Sequence, residues 1–117
     1  NRDCLYMYRR VYLMESATNA LTWGDSAFGI GGKVLSDYQF GEIIKSPCEE
    51  VIIILDPDAI AWAIKAAMKL VFHKRVKVVQ LDNDDDVNSI GKDKTKEYIK
   101  KFNWVAYKDL MKWRNEI

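Results

Sequence analysis

Residues 51–59 read VIIILDPDA, so that five apolar residues run directly into two aspartates separated by one proline. The apolar part lacks the alternation of a half-exposed strand, which favours a strand covered on both faces, as in a parallel sheet. The carboxylates of Asp56 and Asp58 need water, a proton or a cation where that strand ends. The stretch therefore predicts a core strand that leads into a charged site.

Strands and helices alternate on both sides of this segment. Predicted strands cover residues 11–14, 27–30, 50–55 and 76–81, and predicted helices cover residues 16–22, 36–46, 58–73, 93–102 and 104–114. This order favours an α/β domain with a largely parallel four-stranded sheet and helices on both faces. The lysine at position 77 suggests that the last strand lies nearer the sheet edge.

Length and composition favour one globular domain over residues 1–117, with a core over about 10–95. No apolar run is long enough for a transmembrane helix, and the N-terminus lacks the apolar centre of a signal peptide. Because no initiator Met is present, we expect a fragment of a larger protein. Cys4 and Cys48 have no CxxC spacing and His73 is the only histidine, which disfavours zinc and suits a cytoplasmic location.

Carboxylates follow three of the predicted strands. Glu15 follows the first strand, Asp56 and Asp58 follow the third, and Asp86 lies after the fourth. If the second strand pairs on the other side of the first, the first and third strands are neighbours and their acids converge on one rim. Oxygen ligands without His or Cys favour a hard ion, most plausibly Mg²⁺ with Mn²⁺ as a substitute.

Each acid also has a purely structural interpretation. Asp58 is well placed to cap the following helix, and Asp56 can be a solvated turn residue. Glu15 alone would carry no special meaning, and residues 82–86 read mostly as a solvated acidic loop. The functional interpretation depends on the three acids meeting at one rim.

Residues 29–33, GIGGK, form a glycine turn that could meet phosphate through Gly31, Gly32 and Lys33. Val34 stands where a Walker motif needs Ser or Thr, so the turn is not a P-loop. A plain strand-to-helix turn is the alternative. Lys92 and Lys94, in the basic part of the chain that follows the acidic loop, are further candidates for phosphate contacts, or else part of a solvated helix face.

Taken in order, these residues resemble a Toprim domain, the catalytic module of bacterial-type and phage primases, of type IA and type II topoisomerases and of some nucleases. The family pattern is a Glu ending the first strand and Asp-x-Asp ending the third, which Glu15 and residues 56–58 match. Residues 29–44, GIGGKVLSDYQFGEII, are similar to the primase branch in their glycine turn and in Ser36 and Gln39, which open the next helix.

Two positions depart from the family pattern. Ser16 stands where Gly usually follows the Glu, and Ser89 stands where a second Asp is common after the fourth strand. The second departure weakens the expectation of a second metal ion.

The resemblance implies a Rossmann-like, three-layer α/β/α Toprim fold and Mg²⁺-dependent nucleotidyl transfer on nucleic acid, as in RNA primer synthesis during DNA replication. Glu15, Asp56 and Asp58 would be the catalytic metal ligands, with Asp86 as a further ligand. The implied partners are a DNA template, nucleoside triphosphates and a replicative helicase, with no membrane. An isolated domain would have little or no activity, because the template-binding surface would lie mostly outside it.

Other assignments stay open from the sequence. A nuclease or a topoisomerase would use the same carboxylates. A response-regulator receiver also ends its third strand on an Asp and binds Mg²⁺, but it needs a fifth strand followed by Lys. A non-catalytic Toprim-like module is the remaining alternative.

Overall fold

The computed structural model describes residues 3–14, 17–29, 36–55, 60–81 and 90–116. Within them, four strands alternate with six helices. The elements are α1 (Cys4–Met7), β1 (Arg10–Met14), α2 (Ala17–Trp23), β2 (Ala27–Gly29), α3 (Asp37–Lys45), β3 (Glu50–Leu55), α4 (Ile60–Leu70), β4 (Arg75–Gln80), α5 (Lys92–Lys100) and α6 (Tyr107–Glu116).

The strands form one sheet in the order β2-β1-β3-β4, and every neighbouring pair is parallel. The predicted α/β class is therefore confirmed. β2 pairs on the other side of β1, so the condition under which β1 and β3 are neighbours is met. In register, Met14 lies opposite Ile54, and Leu55 lies opposite Gln80. β4 is an edge strand, as its lysine suggested.

Helices cover both faces of the sheet and make three layers. One face packs against α1, α3, α4 and α6 around Val11, Leu13, Val51 and Ile53. The other face packs against α2 and α5 around Met14, Ile52, Ile54 and Val79. Neighbouring residues of β3 are thus buried on opposite faces, which explains its unbroken apolar run.

The start of α3 follows the capping pattern read from the sequence. The Ser36 hydroxyl accepts a hydrogen bond from the Gln39 N–H at 3.1 Å, and the Gln39 side-chain oxygen accepts one from the Ser36 N–H at 3.0 Å. This reciprocal capping box satisfies two backbone donors at the beginning of the helix.

The last helix begins at Tyr107, so the predicted start at Trp104 is wrong. The Val105 N–H donates to the carbonyl of Val76 at 2.9 Å, which draws the preceding segment along β4. Asp109 accepts a hydrogen bond from the Ala106 N–H at 3.3 Å and marks the start of α6. Tertiary contacts of the segment therefore override its amphipathic helical pattern.

The structure also differs from the prediction at α1 and at the end of α4. α1 was not predicted, although it buries Cys4 and Leu5. α4 ends at Leu70, and residues 71–73 form a turn in which the Leu70 carbonyl accepts from the N–H groups of His73 and Lys74.

Both cysteines are buried. Burial raises the pKa of the Cys4 thiol to about 11. In the described part of the chain, no helix has the length and apolarity needed to cross a membrane.

Candidate functional site

Most residues of the predicted metal and phosphate site lie outside the described residues, and their assignments stay predictions. They are Glu15, Gly31, Gly32, Lys33, Asp56, Asp58 and Asp86.

The described strands fix where the chain enters and leaves these segments. β1 ends at Met14, directly before Glu15 in the sequence, and β3 ends at Leu55, directly before Asp56. Met14 and Ile54 are register partners on adjacent parallel strands. The two strands that lead into the predicted acids are therefore hydrogen-bonded neighbours, as the rim prediction requires.

The side chains beneath this carboxyl end of the sheet are apolar and closely covered. Met14 is fully buried, and Trp23, Ile54 and Leu81 are each exposed by no more than 3%. They belong to the same apolar cluster as Ile52 and Val79. Close packing of this kind gives the carboxyl ends of β1 and β3 a stiff support.

The two predicted phosphate-binding lysines in α5 have different surroundings. The Lys92 ammonium lies 5.3 Å from the centre of the Trp23 ring, close to Gly24, where an added Cβ would stand 3.8 Å from it. Lys94 is exposed to solvent. Lys92 therefore has a packing role over an aromatic ring, whereas Lys94 presents its charge to water.

The opposite, amino end of the sheet holds a charged cluster that sequence reasoning missed. Arg10, Glu50 and Arg75 are the first residues of β1, β3 and β4, and Glu50 lies opposite both arginines in register. Arg10 Nε donates to Glu50 Oε1 at 2.8 Å, and Arg75 Nη1 donates to Glu50 Oε2 at 3.1 Å. The Glu50 side chain is only 6% exposed, so two guanidinium groups compensate one buried carboxylate.

Trp104 lies against this cluster, and three cationic side chains are close to its ring. Its ring centre is 4.3 Å from the Arg75 guanidinium carbon, 4.8 Å from Lys77 Nζ and 5.5 Å from the Arg10 guanidinium carbon. The sequence signal for the arrangement was a charged residue at the start of β1, β3 and β4, which are neighbours in the sheet but not consecutive in the chain. These charged residues can be recognised as a cluster only once the strand order is known.

The pKa values within the cluster reflect its crowding. The hydrogen bond with Glu50 raises the pKa of Arg10. Burial, followed by the charge of Arg10, lowers the pKa of Lys77. Arg75 adds to this lowering, and Glu50 opposes it. By geometry, three cations lie near Trp104 and one buried carboxylate belongs to the cluster.

Within the described ranges, no three His, Cys, Asp or Glu side chains are grouped closely enough to hold a metal ion. No protein-family model matches the chain, and a comparison with curated proteins finds no match.

Proposed function

We propose that this chain is the catalytic Toprim-type domain of a DNA primase and supports Mg²⁺-dependent nucleotidyl transfer on nucleic acid. The observation that carries the proposal is the pairing of Met14 with Ile54 on adjacent parallel strands. Glu15 and Asp56 are the next acidic residues along each strand. In parallel α/β sheets, ligands bind beyond the carboxyl ends of the strands, near a reversal of strand order.

The strand order reverses at β1. The chain passes from β1 to β2 on one side and then returns to β3 on the other side. The crevice outside β1 and β3 is therefore the expected ligand site in a fold of this kind. Glu15, Asp56 and Asp58 belong to the segments that leave these two strands.

The donor set fits Mg²⁺. Glu15, Asp56 and Asp58 would hold the ion, and Asp86 is a fourth candidate, all through carboxylate oxygens. The bound ion would neutralise charge that develops on a transferring phosphoryl group. Lys33 and the glycine turn at residues 31–32 would meet phosphate oxygens, with Lys94 as a further cation. The partners would be a DNA template, nucleoside triphosphates and, in the full protein, a replicative helicase.

Titration with Mn²⁺, followed by the electron paramagnetic resonance signal of the free ion, tests the site. The double variant Asp56→Asn/Asp58→Asn should bind Mn²⁺ at least about 10-fold more weakly, because even residues that only orient metal ligands contribute about 10- to 100-fold. The matched control is Glu49→Gln/Glu97→Gln, which removes two exposed carboxylates from described positions away from the rim.

Unchanged Mn²⁺ affinity in the aspartate variant would overturn the metal site, and an equal loss in the control would show diffuse attraction of cations. Glu15→Gln should also weaken binding, since the proposal depends on both strands contributing. Primer synthesis by the full protein, lost in the aspartate variant, tests the primase assignment separately from metal binding. Metal-dependent cleavage of DNA instead would indicate the nuclease or topoisomerase branch.

The receiver alternative has its own discriminating measurement. A receiver would accept phosphate from acetyl phosphate on Asp56, which adds one phosphoryl group to the intact mass. In described residues 90–116, β4 is followed by two helices with no strand between them. That order favours the Toprim-type assignment over a receiver, and we expect no phosphorylated species.

A further inference from the structure

The amino end of the sheet has a surface that combines cationic side chains with exposed aromatic rings. We call it the amino-end surface and define it by Arg9, Arg10, Phe72, Lys74, Arg75, Lys77 and Tyr107. A cleft of about 620 Å³ lies within it, lined in part by Arg9, Phe72, Lys74 and Arg75. Arg75 is shared between this cleft and the charged cluster, because its guanidinium carbon lies 4.3 Å from the Trp104 ring centre and its Nη1 pairs with Glu50.

Cations outnumber acids where β1, β3 and β4 begin. Among the described residues where these strands begin, the amino-end surface has five cationic residues beside two carboxylates, Glu49 and Glu50, which lie just before and at the start of β3. Glu49 pairs with Arg9, and Glu50 is shared by two arginines. The whole chain has a net charge of only +1, so the excess is local and not a general basicity.

The cations are held in place by the fold. Glu50 fixes both guanidinium groups, whose side chains stay 45% and 57% exposed at Arg10 and Arg75. Lys74 Nζ donates to the Ser46 carbonyl at 2.8 Å, which orients its ammonium without cancelling the charge. Fixed donors lose little conformational freedom when an anion binds. Lys77 Nζ donates to the Ile99 carbonyl at 3.4 Å, which orients this ammonium in the same way.

Aromatic rings lie beside these cations. Phe72 lines the cleft and is 68% exposed, and Tyr107 is 40% exposed. Their ring centres are 4.9 Å apart with a tilted arrangement. Exposed rings next to a cationic groove are the combination that binds single-stranded nucleic acid, because bases stack on the rings while cations meet the phosphates.

We propose that the amino-end surface binds single-stranded nucleic acid, with the cations contacting phosphates and Phe72 and Tyr107 contacting bases. The proposal does not rest on the function proposed above, since the surface lies at the end of the sheet opposite the predicted metal rim. An anionic membrane fits less well, because a membrane-surface segment is an amphipathic helix whose continuous apolar face inserts into the lipid. Here the arginines are held by Glu50, and the exposed apolar groups of the surface are paired rings.

Fluorescence anisotropy with a labelled oligothymidylate of about 12 nucleotides tests the proposal. EDTA is present throughout, so that failure of the metal site cannot affect the result. Phe72→Ala/Lys77→Gln should bind about 10-fold more weakly, since one stacking contact and one phosphate contact are lost. The salt dependence, as the slope of log K against log salt concentration, should fall by about 0.7.

A second variant separates loss of binding from loss of folding. Arg10→Gln/Glu50→Gln/Arg75→Gln removes the two cations together with the buried carboxylate, and should lower the salt slope by about 1.4. The matched control, Lys65→Gln/Lys96→Gln, removes two exposed lysines from α4 and α5 and should bind like the parent chain. Circular dichroism checks that each variant is folded.

Three results would overturn the proposal. These are parental affinity in both folded variants, an equal loss in the control, or binding to vesicles containing anionic phospholipid without binding to the oligonucleotide. The expected result is weaker oligonucleotide binding in both variants and none of these three.

Discussion

The two ends of the sheet differ in the side chains that pack there: one end has a buried ion pair network and the other has apolar side chains. At the amino end, the buried Glu50 carboxylate is compensated inside the protein by Arg10 and Arg75. At the carboxyl end, the buried side chains are apolar, with Met14, Ile54 and Leu81 almost fully buried. Acids follow these residues in the sequence at Glu15 and Asp56. The strands are thus anchored by an ion pair network at one end and by apolar packing at the other.

The contrast suggests where an external ion is needed. A carboxylate with two guanidinium partners has no need of a metal ion. Among the described residues of α5, Lys92 lies over Trp23 and Lys94 faces solvent. Neither is part of an ion pair comparable to that of Glu50. The proposed Mg²⁺ would compensate the carboxylates at the carboxyl end, as Arg10 and Arg75 compensate Glu50 at the amino end.

The largest effect is expected from removing the internal compensation. Arg10→Gln/Arg75→Gln leaves Glu50 buried without a cationic partner of the same geometry, and should lower the free energy of unfolding by about 3 kcal/mol. Urea denaturation followed by circular dichroism measures the change. Adding Glu50→Gln should recover most of the loss, because the buried charge is then absent.

Arg9→Gln is the control for this change. The Arg9 and Glu49 side chains are 71% and 60% exposed, and such a pair should contribute less than about 1 kcal/mol. If the double arginine variant were as stable as the Arg9 variant, compensation of Glu50 would not be what holds the amino end together.

A smaller effect is expected at the beginning of α3, where capping replaces ion pairing. Ser36→Ala removes the acceptor for the Gln39 N–H and should cost about 1 kcal/mol of stability. Ser36→Asp keeps an acceptor and should stay close to the parent chain. Equal urea midpoints for the two variants would show that the capping box contributes little.

The smallest effect concerns Lys77. Because burial and the neighbouring Arg10 lower its pKa, folded Lys77 releases its proton at a lower pH than the unfolded chain, whose ordinary value is 10.5. The unfolded state then binds more protons in the window just below 10.5, so this residue makes stability rise with pH there. Titration of the Lys77 side chain by NMR should give a pKa below 10.5, and Arg10→Gln should move it upwards. A value at or above 10.5 in the parent chain would contradict the crowding of cations at the amino end.

Local sequence patterns were sufficient to predict much of the fold. The unbroken apolar run of β3 predicted burial on both faces, which the residues Ile52 and Ile53 confirm by packing into opposite clusters. Ser36 predicted the beginning of α3, because an N-cap depends only on nearby residues, whereas the reciprocal hydrogen bond with Gln39 is a finding of the structure. The place of β3 beside β1 was also predicted, as a condition for the acids to meet.

Features made by distant residues were not accessible in the same way. Trp104 belongs to an amphipathic pattern, yet its position is set by Arg75, Lys77 and the Val105–Val76 hydrogen bond. The Glu50 cluster joins residues from three strands and becomes visible only once their register is known. The predicted acids lie outside the described residues, so their convergence stays a prediction.

The hydrogen bond from Val105 to Val76 has a consequence for how the sheet meets other chains. Exposed edge strands are templates on which another strand can pair and start aggregation. β4 is an edge, but the Val105 N–H occupies its outward carbonyl at Val76. Within the described residues, the other edge strand, β2, covers three residues. The short segment before α6 therefore occupies one backbone group of the β4 edge with which another strand could otherwise pair.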